Sequence, residues 1–143
     1  MSLLAIPELE IIRTPLSWEN GYDYVIRFAD PARPAGDAQV VFKPVEAYQF
    51  TKHGKRFLEE GLKPEDIVAN FVEFYPNGRG LDEDKGEHMR AGVGTKVLER
   101  IVQDARERNA KVLFGLTAKT SMRTYAQKHG FTCVGNYHVY TLL

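Results

Sequence analysis

Met89-Arg90-Ala91-Gly92-Val93-Gly94-Thr95 is the stretch on which the reading of this chain turns, because it lies between an apolar, strand-like run, Ile67–Tyr75, and a long amphipathic helix beginning near Val93. The first turn of a helix leaves backbone N–H groups without intrahelical partners and carries the positive end of the helix dipole, so a glycine-rich turn placed there is suited to an anion. Gly92 and Gly94 let a phosphate approach the backbone and permit the positive φ that turns successive amides towards one point. The spacing narrows the choice of phosphate. A Walker loop needs Lys followed by Ser or Thr after its last glycine, whereas Gly94 is followed by Thr95-Lys96, the reverse order. A dinucleotide fingerprint needs three glycines in an early strand–helix–strand unit with an acidic residue about 20 positions on, and this loop has two glycines late in the chain.

Outward from the loop, the C-terminal half reads clearly. Val97, Leu98, Ile101, Val102 and Ala105 recur at the spacing of one helical face over 93–108, with Lys96, Arg100, Gln103 and Asp104 on the other. The continuous apolar run Val112-Leu113-Phe114-Gly115-Leu116, within a strand over 111–117, suits a strand buried on both faces and parallel to a neighbour across a helical crossover. Thr120 or Ser121 can cap a helix over 120–129 whose inward stripe is Met122, Tyr125, Ala126 and His129, and two short strands end the chain. In the N-terminal half, 9–13, 22–28 and 39–42 alternate as strands, the Pro- and Gly-containing segment 30–37 reads as a turn-rich loop, and 48–60 reads as a weak helix interrupted at Gly54.

Composition sets limits. A chain of 143 residues, 43% hydrophobic and 27% charged, has material for one core, so a single domain over 1–143 is expected. Nineteen basic against nineteen acidic residues give no net charge, which removes the footprint of a dedicated nucleic-acid binder. The single cysteine, Cys133, excludes an intrachain disulfide and fits a reducing compartment. With neither a leader-like start nor a run approaching ~20 apolar residues, the expected location is cytoplasmic, without a membrane partner.

The loop and the segment C-terminal to it resemble the GNAT superfamily of N-acetyltransferases, whose pyrophosphate loop reads Gln/Arg-x-x-Gly-x-Gly/Ala between a strand and a helix. Met89, Gly92 and Gly94 fall on that spacing, with Met89 in place of the usual Gln or Arg, and the second helix closes on Gly130-Phe131 as the family's does. The match runs from about Ala69 to the C-terminus. It implies an α/β fold with a mixed, mostly antiparallel central sheet of six to seven strands flanked by helices. It also implies acetyl-CoA as co-substrate and a primary amine as acceptor. The family commonly places two helices between its first and second strands, whereas the best helical segment of this N-terminal half comes after the third.

The resemblance assigns the site residue by residue. The diphosphate falls to the amides of Arg90, Ala91, Gly92, Val93, Gly94 and Thr95, beside Met89, with Arg90 able to add charge. The pantetheine arm falls to the backbone of Val72, Glu73 and Phe74, on a strand that the family splays from its neighbour. Glu73 is the carboxylate available as general base, directly or through water; its alternative is a solvent-facing residue on an alternating strand. Counting back from Gly130-Phe131, the family's tyrosine position holds Ala126, and Tyr125 stands one residue earlier, about 100° around the helix, as either the acid for the thiolate or a core contact. Tyr137 and Tyr140 are further phenols, read as structural.

Outside the resemblance, residues 77–88 form a long polar connection, readable as a substrate-contacting lid or as a disordered loop, with His88 at its end. His53, His129 and His138 have no ligand-like spacing, so no metal is expected, and Cys133 reads as a buried, inert thiol. Two functions from different classes are open, an acetyl-CoA-dependent N-acetyltransferase acting by direct transfer, or a CoA-binding or catalytically degenerate domain with a regulatory or structural role; a third, a phosphate-binding α/β domain unrelated to CoA, would show itself by nucleotide binding. The short terminal strands also leave a homodimer open.

Overall fold

The computed structural model describes residues 9–28, 33–75, 93–116, 126–134 and 138–143. Alternation in the N-terminal segment produces strands β1 (Leu9–Pro15) and β2 (Gly21–Phe28), paired antiparallel from Leu9↔Phe28 to Pro15↔Tyr22. Leu16 N–H donates to the Gly21 carbonyl at 3.1 Å and closes the connection. Strand β3 (Arg33–Pro44) is much longer than the expected 39–42 and takes in Arg33 to Asp37, which the sequence reads as loop. In the sheet β3 lies between β2 and β4, and neighbours on both sides outweigh the weak strand preference of Pro34 and Gly36.

The segment read as one interrupted helix is two elements. A 3₁₀ turn, Val45–Tyr48, is followed by helix α1 (Lys52–Glu59), which runs straight through Gly54. Thr51 caps α1: its Oγ accepts from Gly54 N–H at 3.1 Å and donates to the Tyr48 carbonyl at 2.7 Å. Gly54 is where the helix meets that turn, and a Cβ there would overlap the Tyr48 carbonyl. Contact, rather than a break in the helix, explains this glycine. At the far end Gly61 takes φ +95°, Leu62 N–H reaches the Phe57 carbonyl at 3.0 Å and Gly61 N–H the Leu58 carbonyl at 3.1 Å, a Schellman ending. Gly130 repeats it at φ +87°, with Phe131 N–H on the Ala126 carbonyl at 3.0 Å, which gives the Gly-Phe pair its physical reason.

Strand β4 (Ile67–Tyr75), helix α2 (Val93–Glu107) and strand β5 (Val112–Leu116) come next, then β6 (Thr132–Val134) and β7 (His138–Leu142). On α2, Val97, Leu98, Ile101 and Ala105 are buried as expected. Asp104 is a correction: at 2% exposure it belongs to the inward stripe, three positions after Ile101 and seven after Val97. Of the helix expected over 120–129 the described part is the turn at 126–128; Ala126 is buried there, but His129 is exposed. His129 already lies in the Schellman turn, past the last helical residue, which removes it from the inward stripe.

The seven strands form one mixed, mostly antiparallel sheet flanked by helices, in the order β1-β2-β3-β4-β5-β7-β6. By packing, the described chain divides into two compact units. The first holds β1, β2, β3 as far as Val40, β4 from Glu73 and α2 as far as Ile101; the second holds Val41–Val72 and the remainder from Val102. In the first, Tyr24, Ile26, Ala38 and Val40 are buried. In the second, Val45, Phe57, Val68, Val112, Phe114 and Tyr140 make one cluster, with Tyr48, Leu62 and Val134 packed on it. Among the described residues no helix is long and apolar enough to cross a membrane.

Candidate functional site

Val72, Glu73 and Phe74 all lie in β4 near its C-terminal end. Val72 is 46% exposed, Glu73 and Phe74 are half-buried, and alternation puts Glu73 on the opposite face from Val72. Val93, Gly94 and Thr95 form the first turn of α2, with Gly94 and Thr95 half-buried. Met89, Arg90, Ala91 and Gly92 lie outside the described residues, as do Tyr125, Tyr137, His88 and the connection 77–88.

Within the second unit, the backbone arranges chemistry by register. β4 and β5 are parallel, with Ala69 opposite Leu113 and Asn70 opposite Phe114, and α2 lies between them in sequence. At the next level Gly115 makes room for Phe71, since a Cβ there would stand 3.1 Å from the Phe71 Cβ. β7 runs antiparallel to both its neighbours, pairing Leu116 with His138 and Phe114 with Tyr140 on one side, and Val134 with His138 on the other. Partners directly opposite share a face. One face therefore carries, row by row, Val68 and Val112, then Asn70, Phe114, Tyr140 and Thr132, then Val72, Leu116, His138 and Val134. The last row stands at the C-terminal end of β5 and three residues short of that of β4, and its Val72 and Leu116 are 46% and 70% exposed.

Helix α1 covers the lower rows. Phe57 meets Phe114 edge-on at 5.0 Å between centroids and Tyr140 at 6.0 Å. The Tyr140 hydroxyl donates to Glu60 Oε1 at 2.7 Å and accepts from Arg56 Nε at 3.1 Å, so this phenol is structural, as the sequence suggests. One turn earlier, His53 lies 4.6 Å from the Phe114 ring, stacks with Phe57 at 5.7 Å and meets His138 edge-on at 4.5 Å. The Nδ1 atoms of the two imidazoles are 3.3 Å apart. His53 is buried, and its Nε2 is enclosed without a hydrogen-bond partner. Burial, then repulsion by charge on His138, lower His53 to a pKa of about 4, against a weaker opposing hydrogen bond with the Val139 backbone. His53 is thus neutral at pH 7, while His138 is half-buried at the edge of the exposed row.

The sequence misses this pair. A spacing of 85 residues carries no ligand or dyad signal, and only the register of β7 against β5 with α1 laid across it brings the rings together. Cys133 is half-buried and pairs with Val139, so it faces away from the histidines; the buried thiol expected from the sequence is corrected, because among the described residues β6 has a single strand neighbour, β7. Among the described residues no group of three or more His, Cys, Asp or Glu is placed to hold a metal ion.

No protein-family model and no curated protein matches this sequence.

Proposed function

We propose that this chain is an acetyl-CoA-dependent N-acetyltransferase that passes an acetyl group directly to a primary amine. The observation that carries the reading is the parallel β4–β5 pair joined in sequence through α2, in a sheet where β7 lies between β5 and β6. A parallel pair binds ligands at the carboxyl ends of its strands, and here Gly92 and Gly94 stand in the sequence at the start of the crossover helix. The diphosphate would rest on the amides from Arg90 to Thr95, and the pantetheine arm along the backbone of Val72, Glu73 and Phe74. Backbone donors at a strand end would polarise the thioester carbonyl. Glu73 is the carboxylate on that strand able to take a proton directly or through water, and an unchanged pH–rate profile in Glu73→Gln removes it from that role.

A second reading, a CoA-binding domain without turnover, is favoured by Ala126. It occupies the position the resemblance gives to a tyrosine acid, and its buried methyl carries no proton. Thermal unfolding with acetyl-CoA, free CoA and ATP tests the common premise. Acetyl-CoA at about one hundred times its dissociation constant adds about 2.7 kcal/mol, several degrees in a chain of this size. A shift with both CoA ligands and none with ATP supports the cofactor site. No shift with either CoA ligand overturns both readings, and a shift unaccompanied by transfer to any amine selects the second.

A further inference from the structure

We propose that His138, positioned by His53, takes the proton from the acceptor amine, and that the acceptor is a primary amine on a short alkyl chain lying along Val72 and Leu116. The inference rests on the acetyltransferase reading, gives His138 the base role offered there to Glu73, and adds a substrate class. Three placements in the second unit carry it. Leu116 and His138 are direct register partners, so the imidazole stands on the same sheet face as the exposed Leu116 side chain, at the C-terminal end of the parallel pair. Val72 is at the corresponding level of β4, two positions beyond Asn70 as Leu116 is two beyond Phe114. Apolar side chains this exposed on the two central strands form a surface for an alkyl group, and the half-buried imidazole is its polar end. Glu73 lies on the other face of β4 from Val72.

The His53 contact supplies orientation. The two Nδ1 atoms stand 3.3 Å apart, within reach of one bridging proton whose donor is set by the tautomers of the two rings. When His138 donates it and His53 accepts, Nε2 of His138 carries a lone pair, and once protonated the ring keeps a charge-assisted bond to a neutral partner. His53, held to a pKa of about 4 by burial and by His138, does not compete for the charge. On the other elements packed against the pair, Arg56 and Glu60 of α1 are engaged at the Tyr140 hydroxyl, β5 contributes no ionisable side chain, and Cys133 of β6 faces away. As the amine nitrogen attacks the thioester carbonyl, the C–N bond forms and the C–S bond breaks. The proton shed by nitrogen goes to Nε2 of His138, and the departing thiolate then takes it from the imidazolium, leaving an amide, the free thiol and a neutral ring.

The experiment is acetyl transfer from acetyl-CoA to n-butylamine by the full chain, followed as CoA release from pH 5 to 9, with acetyl-CoA binding measured in parallel by thermal shift. His138→Gln is expected to lower kcat/KM for the amine about 10²-fold or more and to abolish the acid-limb inflection, with the acetyl-CoA shift retained. Added imidazole should restore part of the rate to His138→Ala, which a purely structural role would not allow. His53→Gln should move the inflection without removing it, marking a positioning residue. Butylamine that fails to accelerate CoA release from a protein that still binds acetyl-CoA overturns the proposal, as does an inflection that survives in His138→Gln or disappears in Glu73→Gln. Loss of acetyl-CoA binding in the unmodified protein overturns the underlying reading instead.

Discussion

The β1–β2 ribbon and the sheet face beneath α1 obey the same alternation rule and come out differently. In the ribbon, Ile12 and Val25 are direct partners, yet they stay 40% and 41% exposed, beside the Glu10–Arg27 ion pair at 3.0 Å. Arg13 covers the Tyr22 ring at 4.4 Å, a cation lying on an aromatic within the ribbon itself. Under α1, the equivalent face of β5 and β7 is closed by Phe57, fully buried, with Phe114 and Tyr140 each 3% exposed. Alternation says which residues share a face. Whether a face becomes core depends on what covers it: α1 closes this face of β5 and β7, whereas Ile12 and Val25 stay open to solvent.

Mutations can break this contrast. Phe57→Ala removes the ring that contacts both Phe114 and Tyr140 and should cost about 4 kcal/mol in denaturant unfolding, the largest effect expected. A loss below about 1 kcal/mol would mean that α1 does not seal the face. Gly54→Ala is a sharper test, because alanine is the better helix former by about 1 kcal/mol. Its Cβ would nonetheless overlap the Tyr48 carbonyl, backbone that gives way only if the 3₁₀ turn moves, so a net loss of about 3 kcal/mol is expected. Stabilisation by this substitution would show that α1 and the turn are not in contact.

The buried imidazole beneath α1 adds a dependence on pH. The pKa of His53 falls from 6.5 to about 4 on folding, so between those values the unfolded chain binds a proton that the folded chain refuses. Stability therefore decreases as pH falls through that window, by about 3 kcal/mol in total, and this contribution is fully present above pH 6.5. Unfolding curves collected across the window should show the slope in the natural chain and a reduced one in His53→Phe. The smallest effect belongs to the ribbon: Ile12→Thr keeps a β-branched residue on an open face and should change stability by less than about 0.5 kcal/mol. A larger loss would reveal that something covers the Ile12–Val25 face.

Legibility tracks sequence distance. The hydrophobic stripe of α2, the buried run of β5 and the strands of the ribbon are readable because their periodicity falls within one element. Asp104 escapes the pattern because a polar side chain on an inward position looks, in sequence, like one on an outward position. Gly54 misleads because its reason is six residues back, at the Tyr48 carbonyl. The extension of β3 is hidden because pairing with neighbours overrides Pro34 and Gly36. For the candidate site, the end of β4 is legible as an apolar run, while Met89 to Gly92 lie outside the described residues. The His53–His138 contact is not legible, since neither residue carries a local pattern.

The sequence by itself determined which residues alternate and where α2 begins and ends, because these depend on backbone preference and periodicity over a few residues. Only the tertiary structure decided that α1 lies across β5 and β7, that β7 inserts between β5 and β6, and that two histidines 85 positions apart meet at 3.3 Å. Those outcomes come from long-range strand register and from burying one helix against one sheet face. Their energy is shared among residues too far apart along the chain for any local pattern to record it.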